Sequence, residues 1–184
     1  MDIRSQRTKK QIGDCFLALL NQKPASKITV TEICEKIPIN RATFYKHYLD
    51  IPDLLEKQVE EILEKLQTII NAYDSQQTEK LLLETLRYMR SEGACYYALG
   101  SENGDPNLPM KTFELLYQSE FPVLEKSIPD LTQQQKEMLY HYLSQGCGGV
   151  LSYWIHNGMT QEPEEIADFI MQASIATVTV FNRK

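Results

Sequence analysis

Apolar positions near the start of the chain fall at Ile12, Phe16, Leu19 and Leu20, one face of a helix running from about Arg4 to Gln22. Pro24 ends it. Thr29, with Glu32 three residues on, has the form of a capping box and opens a short helix through Lys36. Pro38 stops that helix, because the residue before a proline is pushed out of the helical region. Asn40 is suited to cap a third short helix from Arg41 to about Tyr48. A long helix follows from Pro52 or Asp53, with Leu55, Val59, Ile62, Leu63, Leu66, Ile69, Ile70 and Tyr73 as its apolar stripe. A fifth helix spans about Thr78 to Ser91 and ends near Gly93. The stretch Gly100–Pro106 has the composition of a loop. Helical pattern resumes from Pro109 to about Lys126. Thr132 with Gln135 forms another capping box, before a helix that closes at Asn157-Gly158. A last helix begins at Pro163, with Ile166, Phe169, Ile170, Ala173, Thr177, Val180 and Phe181 along it. Val178-Thr-Val has strand character but no partner strand elsewhere, so the fold is expected to be all-α.

Composition narrows the class only a little. With 42% apolar and 24% charged residues in 184, the chain reads as folded and globular. No apolar run exceeds six residues, as at Cys15–Leu20, far short of the roughly 20 that span a bilayer. No apolar segment marks a secretory signal near the start, so a soluble, cytoplasmic protein with no membrane partner is expected. Cys15, Cys34, Cys95 and Cys147 show no metal-ligand spacing, nor do His47, His141 and His156, and no metal or cofactor is expected.

Charge changes the picture once it is divided. Residues 1–50 carry nine Lys/Arg against five Asp/Glu, whereas residues 51–184 carry ten against twenty. The net charge of −6 therefore hides a basic first quarter, and the local field decides where a polyanion docks.

That basic quarter contains the most informative segment, residues 28–48, a helix, a tight turn and a second helix. On the second helix Phe44 and Tyr48, four apart, can face inward, leaving Arg41, Ala42, Thr43, Tyr45, Lys46 and His47 toward solvent. An arginine can grip a guanine edge, small residues permit close approach, and the others donate to phosphates. A helix of this kind enters the major groove in helix-turn-helix proteins. The same pattern also fits a solvated face on an ordinary helical hairpin, and the physics alone leaves both open.

The residues Thr29, Ala42-Thr-Phe-Tyr-Lys-His-Tyr48 and Asp53-Leu-Leu55 resemble the DNA-binding domain of the TetR family of bacterial regulators. The preceding basic helix, with Arg4, Arg7, Lys9 and Lys10, fits too. Two positions depart from the pattern. Pro38 stands where the turn usually has Gly, and Ile51 where a phosphate-binding Lys is frequent. The resemblance implies a three-helix helix-turn-helix head (residues 1–52, motif at about 28–48) joined by a long helix to a helical regulatory and dimerisation domain (53–184). It also implies DNA contacts by Thr29, Thr31, Asn40, Arg41, Ala42, Thr43, Tyr45, Lys46 and His47. The expected function is a homodimeric transcription regulator, a repressor, binding a palindromic operator in double-stranded DNA.

The later residues Tyr96-Tyr-Ala-Leu99, Gly104-Asp-Pro106, Gly149-Val-Leu151, Trp154-Ile155 and Asn157-Gly158 resemble a C-terminal domain of TetR-like proteins from Gram-positive bacteria. By that resemblance the last two helices pair with their copies as a four-helix bundle. Leu143, Gly146, Cys147, Val150, Ile166, Ile170, Ala173 and Thr177 are the candidate interface residues. The resemblance further implies a pocket for a small effector that releases DNA. Eight of the ten tyrosines lie beyond residue 70, and Tyr88, Tyr96, Phe113, Tyr117 and Trp154 are the candidate lining. The absence of a charge cluster among them points to an apolar or aromatic effector.

Three other readings compete. Catalysis by Cys147 beside His141 and His156 lacks a strand-turn-helix elbow, and an enzyme is not expected. A thiol or metal sensor would use Cys95 and Cys147. A co-regulator acting through a protein partner would keep the fold and drop operator binding, as the departures at Pro38 and Ile51 permit.

Overall fold

Helix α1 (Ile3–Leu20) buries Ile12, Phe16, Leu19 and Leu20, the face that the spacing defines. The structure, a computed structural model, describes residues 3–74 and 77–181, so the extreme ends of the two expected domains lie outside the described residues. A 3-10 turn (Ala25–Lys27) leads to α2 (Val30–Lys36), α3 (Arg41–Tyr45) and α4 (Ile51–Ile70). Then come α5 (Thr78–Ser91), α6 (Gly93–Leu99), α7 (Leu108–Ser127), α8 (Gln133–His156) and α9 (Pro163–Phe181). The fold is all-α, with no strand among the described residues. None of its helices there is long and apolar enough to cross a membrane.

Helix α6 is absent from the expectation above. Its sequence, Gly93-Ala-Cys-Tyr-Tyr-Ala-Leu99, has no polar face to set a period, and Tyr96, Ala98 and Leu99 are fully buried. A helix enclosed on several sides gives no amphipathic signal.

The chain divides into two compact units, one running to Ile62 and including Ala94–Leu108, the other comprising Leu63–Gly93 and the chain from Pro109. In the first, α1 packs on α2 and α2 on α3. The loop after α6 belongs here as well. Asn103 donates from its side chain to the carbonyl of Leu20 at 2.8 Å, and its own carbonyl accepts from the Ala25 N–H at 2.8 Å. It thereby satisfies the last carbonyl of α1, which the helix cannot pair internally, and the first N–H of the 3-10 turn. Gly104 has no room for a side chain, since a Cβ there would sit 2.4 Å from the Leu99 carbonyl oxygen.

In the second unit α9 packs on α5 and α8. Arg87 bridges Glu84 and Glu164, each at 2.7 Å, and Arg90 pairs with Glu162. These exposed ion pairs set register more than stability. Trp154 is fully buried and donates its indole N–H to the Gln161 carbonyl at 3.1 Å. Helix α8 opens with the complete capping box at Thr132 and Gln135, and Gly158, with φ of +74°, turns the chain at its end.

Candidate nucleic-acid interface and ligand cavity

A five-residue helix is too short to persist alone, so α3 is held by its ends and by one buried side chain. At its start the Asn40 side chain accepts from the Thr43 backbone N–H at 2.8 Å and from the Thr43 hydroxyl at 3.0 Å. Phe44 has no exposed surface and stacks against Tyr48 at 5.7 Å between ring centroids. Beyond its end, Asp53 accepts from the Leu49 N–H at 2.8 Å and from Lys57 at 2.9 Å, with Lys57 lying over the Tyr48 ring. The Lys57 ammonium holds the Asp53 carboxyl below its usual range, with the Leu49 N–H adding to the effect.

This frame turns Arg41, Ala42, Tyr45 and Lys46 outward, with Tyr45 at 55% exposure, and leaves Thr43 and His47 half-buried. Arg41 donates to the hydroxyl of Thr31 on α2 at 2.5 Å, so the two expected contact residues sit together across the motif. Thr29 caps α2 by accepting from the Glu32 N–H at 3.2 Å. The second half of that capping box is not made, because the Glu32 carboxylate is drawn to Lys23 at 2.6 Å. Thr29 and Asn40 therefore both have structural duties at helix starts.

Burial lowers the His47 pKa, and the positive charges of Lys9 and Lys46 lower it further. The charge of Lys9 on α1 is thus felt at α3, an effect that spacing in the sequence does not reveal. Ile51, where a lysine is frequent, is only 6% exposed, and Leu49 beside it is 76% exposed.

The second unit contains a cavity of about 320 Å³ lined by α5, α7, α8 and α9. Phe113 and Tyr117 line it, with leucines, isoleucines and a single carboxylate, Glu120. Of the other aromatic candidates, Tyr88 lies in a separate concavity with Tyr73 and Arg87, and Tyr96 and Trp154 are fully buried.

The expected interface residues divide similarly. Leu143, Cys147, Ile166 and Ile170 are buried, Val150 and Thr177 are half-buried, and Gly146 and Ala173 are exposed. The outward stripes are Tyr142, Gly146, Gly149 and Tyr153 on α8, and Phe169, Ala173, Ala176 and Val180 on α9. Tyr142, Tyr153, Phe169 and Val180 each show more than half of their surface.

None of the four cysteines forms a disulfide, and Cys147 is buried 3.7 Å from the Ser174 hydroxyl, with its thiol pKa raised by burial. A thiol so placed is a poor nucleophile and a poor metal ligand. Among the described residues no group of three His, Cys, Asp or Glu gathers to hold a metal.

A helix-turn-helix head with an all-helical second unit is the architecture of a one-chain transcription regulator. Residues 76–175, more than half of the chain, match the TetR-type family described as the transcriptional regulator C-terminal region. The chain belongs to the TetR family of transcriptional regulators, which are DNA-binding regulators and not enzymes. It is 29% identical over 180 residues to the uncharacterized HTH-type transcriptional regulator YxbF of Bacillus subtilis strain 168, covering 94% of this chain and 46% of that protein. The chain thus spans about half the length of this curated relative.

Among solved structures, a TetR transcriptional regulator from Streptococcus agalactiae 2603V matches with a TM-score of 0.70 at 22% identity, over 93% of this chain and 95% of that one. The dihydroxyacetone kinase operon activator DhaS matches with a TM-score of 0.66 at 21% identity, over 95% and 97%. At these identities the likeness extends to the fold.

Proposed function

We propose that this regulator acts in the cytoplasm as a homodimeric repressor that binds a palindromic operator and is released by a small-molecule effector. In this reading residues 1–52 are the DNA-binding head and residues 53–184 the effector-binding and dimerisation domain. The observation that carries it is the surface of α3. Asn40 and Phe44 hold the helix from within while Arg41, Ala42, Tyr45 and Lys46 stand outward. Arg41, Ala42 and Thr43 face bases, and Thr31, Tyr45, Lys46 and His47 hold phosphates.

Dimerisation is supported by the two exposed apolar stripes. A Cβ added at Gly146 or Gly149 would meet nothing within 4 Å, so the α8 stripe is open to a second helix at close range. Exposed apolar patches of large area are rare on monomers. A two-fold dimer presents its recognition helices to successive major-groove faces about one helical turn apart.

Arg41→Ala is expected to relax sequence preference at one position per half-site, at about 1–3 kcal/mol. Lys46→Ala is expected to weaken all sequences alike and to flatten the salt dependence, losing roughly one released counterion per contact. Fluorescence anisotropy over a panel of operator variants at several salt concentrations reads both. Unaltered selectivity in Arg41→Ala would remove that residue from the groove.

Acidity supplies a further check. In the free protein His47 titrates below its ordinary value, because burial and two neighbouring cations oppose its charge. A phosphate beside it raises the pKa in the complex, so binding takes up a proton. Affinity should therefore rise as pH falls from 8 through 6, and His47→Gln should abolish that slope. A wild-type slope of opposite sign, or one untouched in the variant, contradicts the phosphate contact.

A co-regulator acting through a protein partner is the second reading. The exposed Leu49 and buried Ile51 favour it, since an apolar side chain stands next to a position that offers no cation to a phosphate. The name of DhaS, an operon activator of like fold, supports weighing positive regulation beside repression. A promoter–reporter fusion in cells with and without the gene gives the sign.

A further inference from the structure

The hydroxyls that line the α5–α7–α8–α9 cavity are nearly all committed. Thr78 donates to the Glu120 carboxylate, Ser127 to the Leu124 carbonyl at 2.7 Å, and Thr179 to the Ile175 carbonyl at 2.7 Å. Ser174 faces the Cys147 thiol. Two polar groups are left to meet a guest. One is the Tyr117 hydroxyl, whose oxygen is buried without a hydrogen-bond partner. The other is Glu120, which receives one hydroxyl hydrogen bond and pairs with no lysine or arginine among the described residues.

A buried hydroxyl without a partner costs free energy that a guest acceptor or water can recover. Glu120 is half-buried, with the Thr78 hydroxyl as its donor, and its negative field selects the charge of whatever enters. Among the described residues no cation lines the cavity, so an anionic head would meet Glu120 uncompensated, whereas a cationic head is neutralised by it. The rings of Phe113 and Tyr117, 5.8 Å apart at their centroids, offer a π-face to the same cation. The volume is at the small end of the roughly 300–1,000 Å³ usual for ligand sites.

We infer that this cavity binds an amphiphilic monocation, an amine or quaternary ammonium group on an alkyl or aryl body, with Glu120 as counter-ion. The inference rests on the effector reading above for its regulatory meaning, but the binding itself stands apart from it.

A matched series of decyltrimethylammonium, decanol and decanoate, each below its micellar concentration, separates charge from chain. Isothermal titration calorimetry on the full chain is expected to show the cation binding about tenfold or more tighter than the anion, with the alcohol between. Glu120→Gln keeps the acceptor for Thr78 and removes only the charge. It should lose the preference for the cation and leave decanol unchanged, while Tyr117→Phe should weaken decanol. Equal or tighter binding of decanoate, a cation preference that survives Glu120→Gln, or no binding of any of the three overturns the inference. Operator DNA added to the same samples tests the other reading separately. Cation binding that leaves DNA affinity unchanged keeps the site and removes its role as the effector site.

Discussion

Phe44→Ala is expected to abolish operator binding and to destabilise the head by about 3–5 kcal/mol. Phe44 is the one fully buried side chain of a five-residue helix, and it supports Tyr48 at the turn into α4. Its removal leaves a cavity under α3 that so short a helix cannot close by itself. Arg41, Tyr45 and Lys46 then lose the rigid frame that aims them. The second unit contains no atom of Phe44, so its helical content should persist in a second unfolding transition. Urea titration followed by circular dichroism, with DNA anisotropy at each step, checks both parts. A variant that binds with wild-type affinity would show that α3 is not the element that reads DNA.

Gly149→Arg is the second large effect, and its sign differs between chain and assembly. Within one chain a Cβ at this position meets nothing within 4 Å, and replacing a mid-helix glycine by arginine favours the helix by about 1 kcal/mol. Across a two-fold contact the same side chain buries like charges against each other between α8 helices meant to approach closely. The expected outcome is a folded monomer with operator affinity reduced by orders of magnitude, because each chain then grips one half-site alone. Sedimentation equilibrium and thermal unfolding together decide it. A variant that stays dimeric locates the interface away from the α8 stripe.

Much of this was legible in the sequence wherever local chemistry dictates local structure. The caps at Thr29, Asn40 and Thr132, the inward pair Phe44 and Tyr48, and the turn at Gly158 all depend on neighbours within a few residues. What depended on distant residues was not legible. Helix α6 is apolar on every side and carries no period. Helices α8 and α9 are apolar around much of their circumference, so only their neighbours decide that Leu143 and Ile170 turn inward while Tyr142 and Phe169 turn outward. The cavity is assembled from residues between 78 and 179, and Glu120 acquires its meaning from apolar walls on three other helices. The charge of Lys9 reaches His47 through the fold of the first unit, not through its place in the chain.

Whether the outer face of α3 reads DNA is decided by selection of binding sites from random duplex DNA. The purified protein should be run beside a Tyr45→Ala, Lys46→Ala double variant, which removes two exposed side chains and leaves the Phe44 core intact. The wild type is expected to enrich a two-fold symmetric sequence and the variant none. A folded dimer that enriches no sequence would contradict that role for α3 and turn the search to a protein partner.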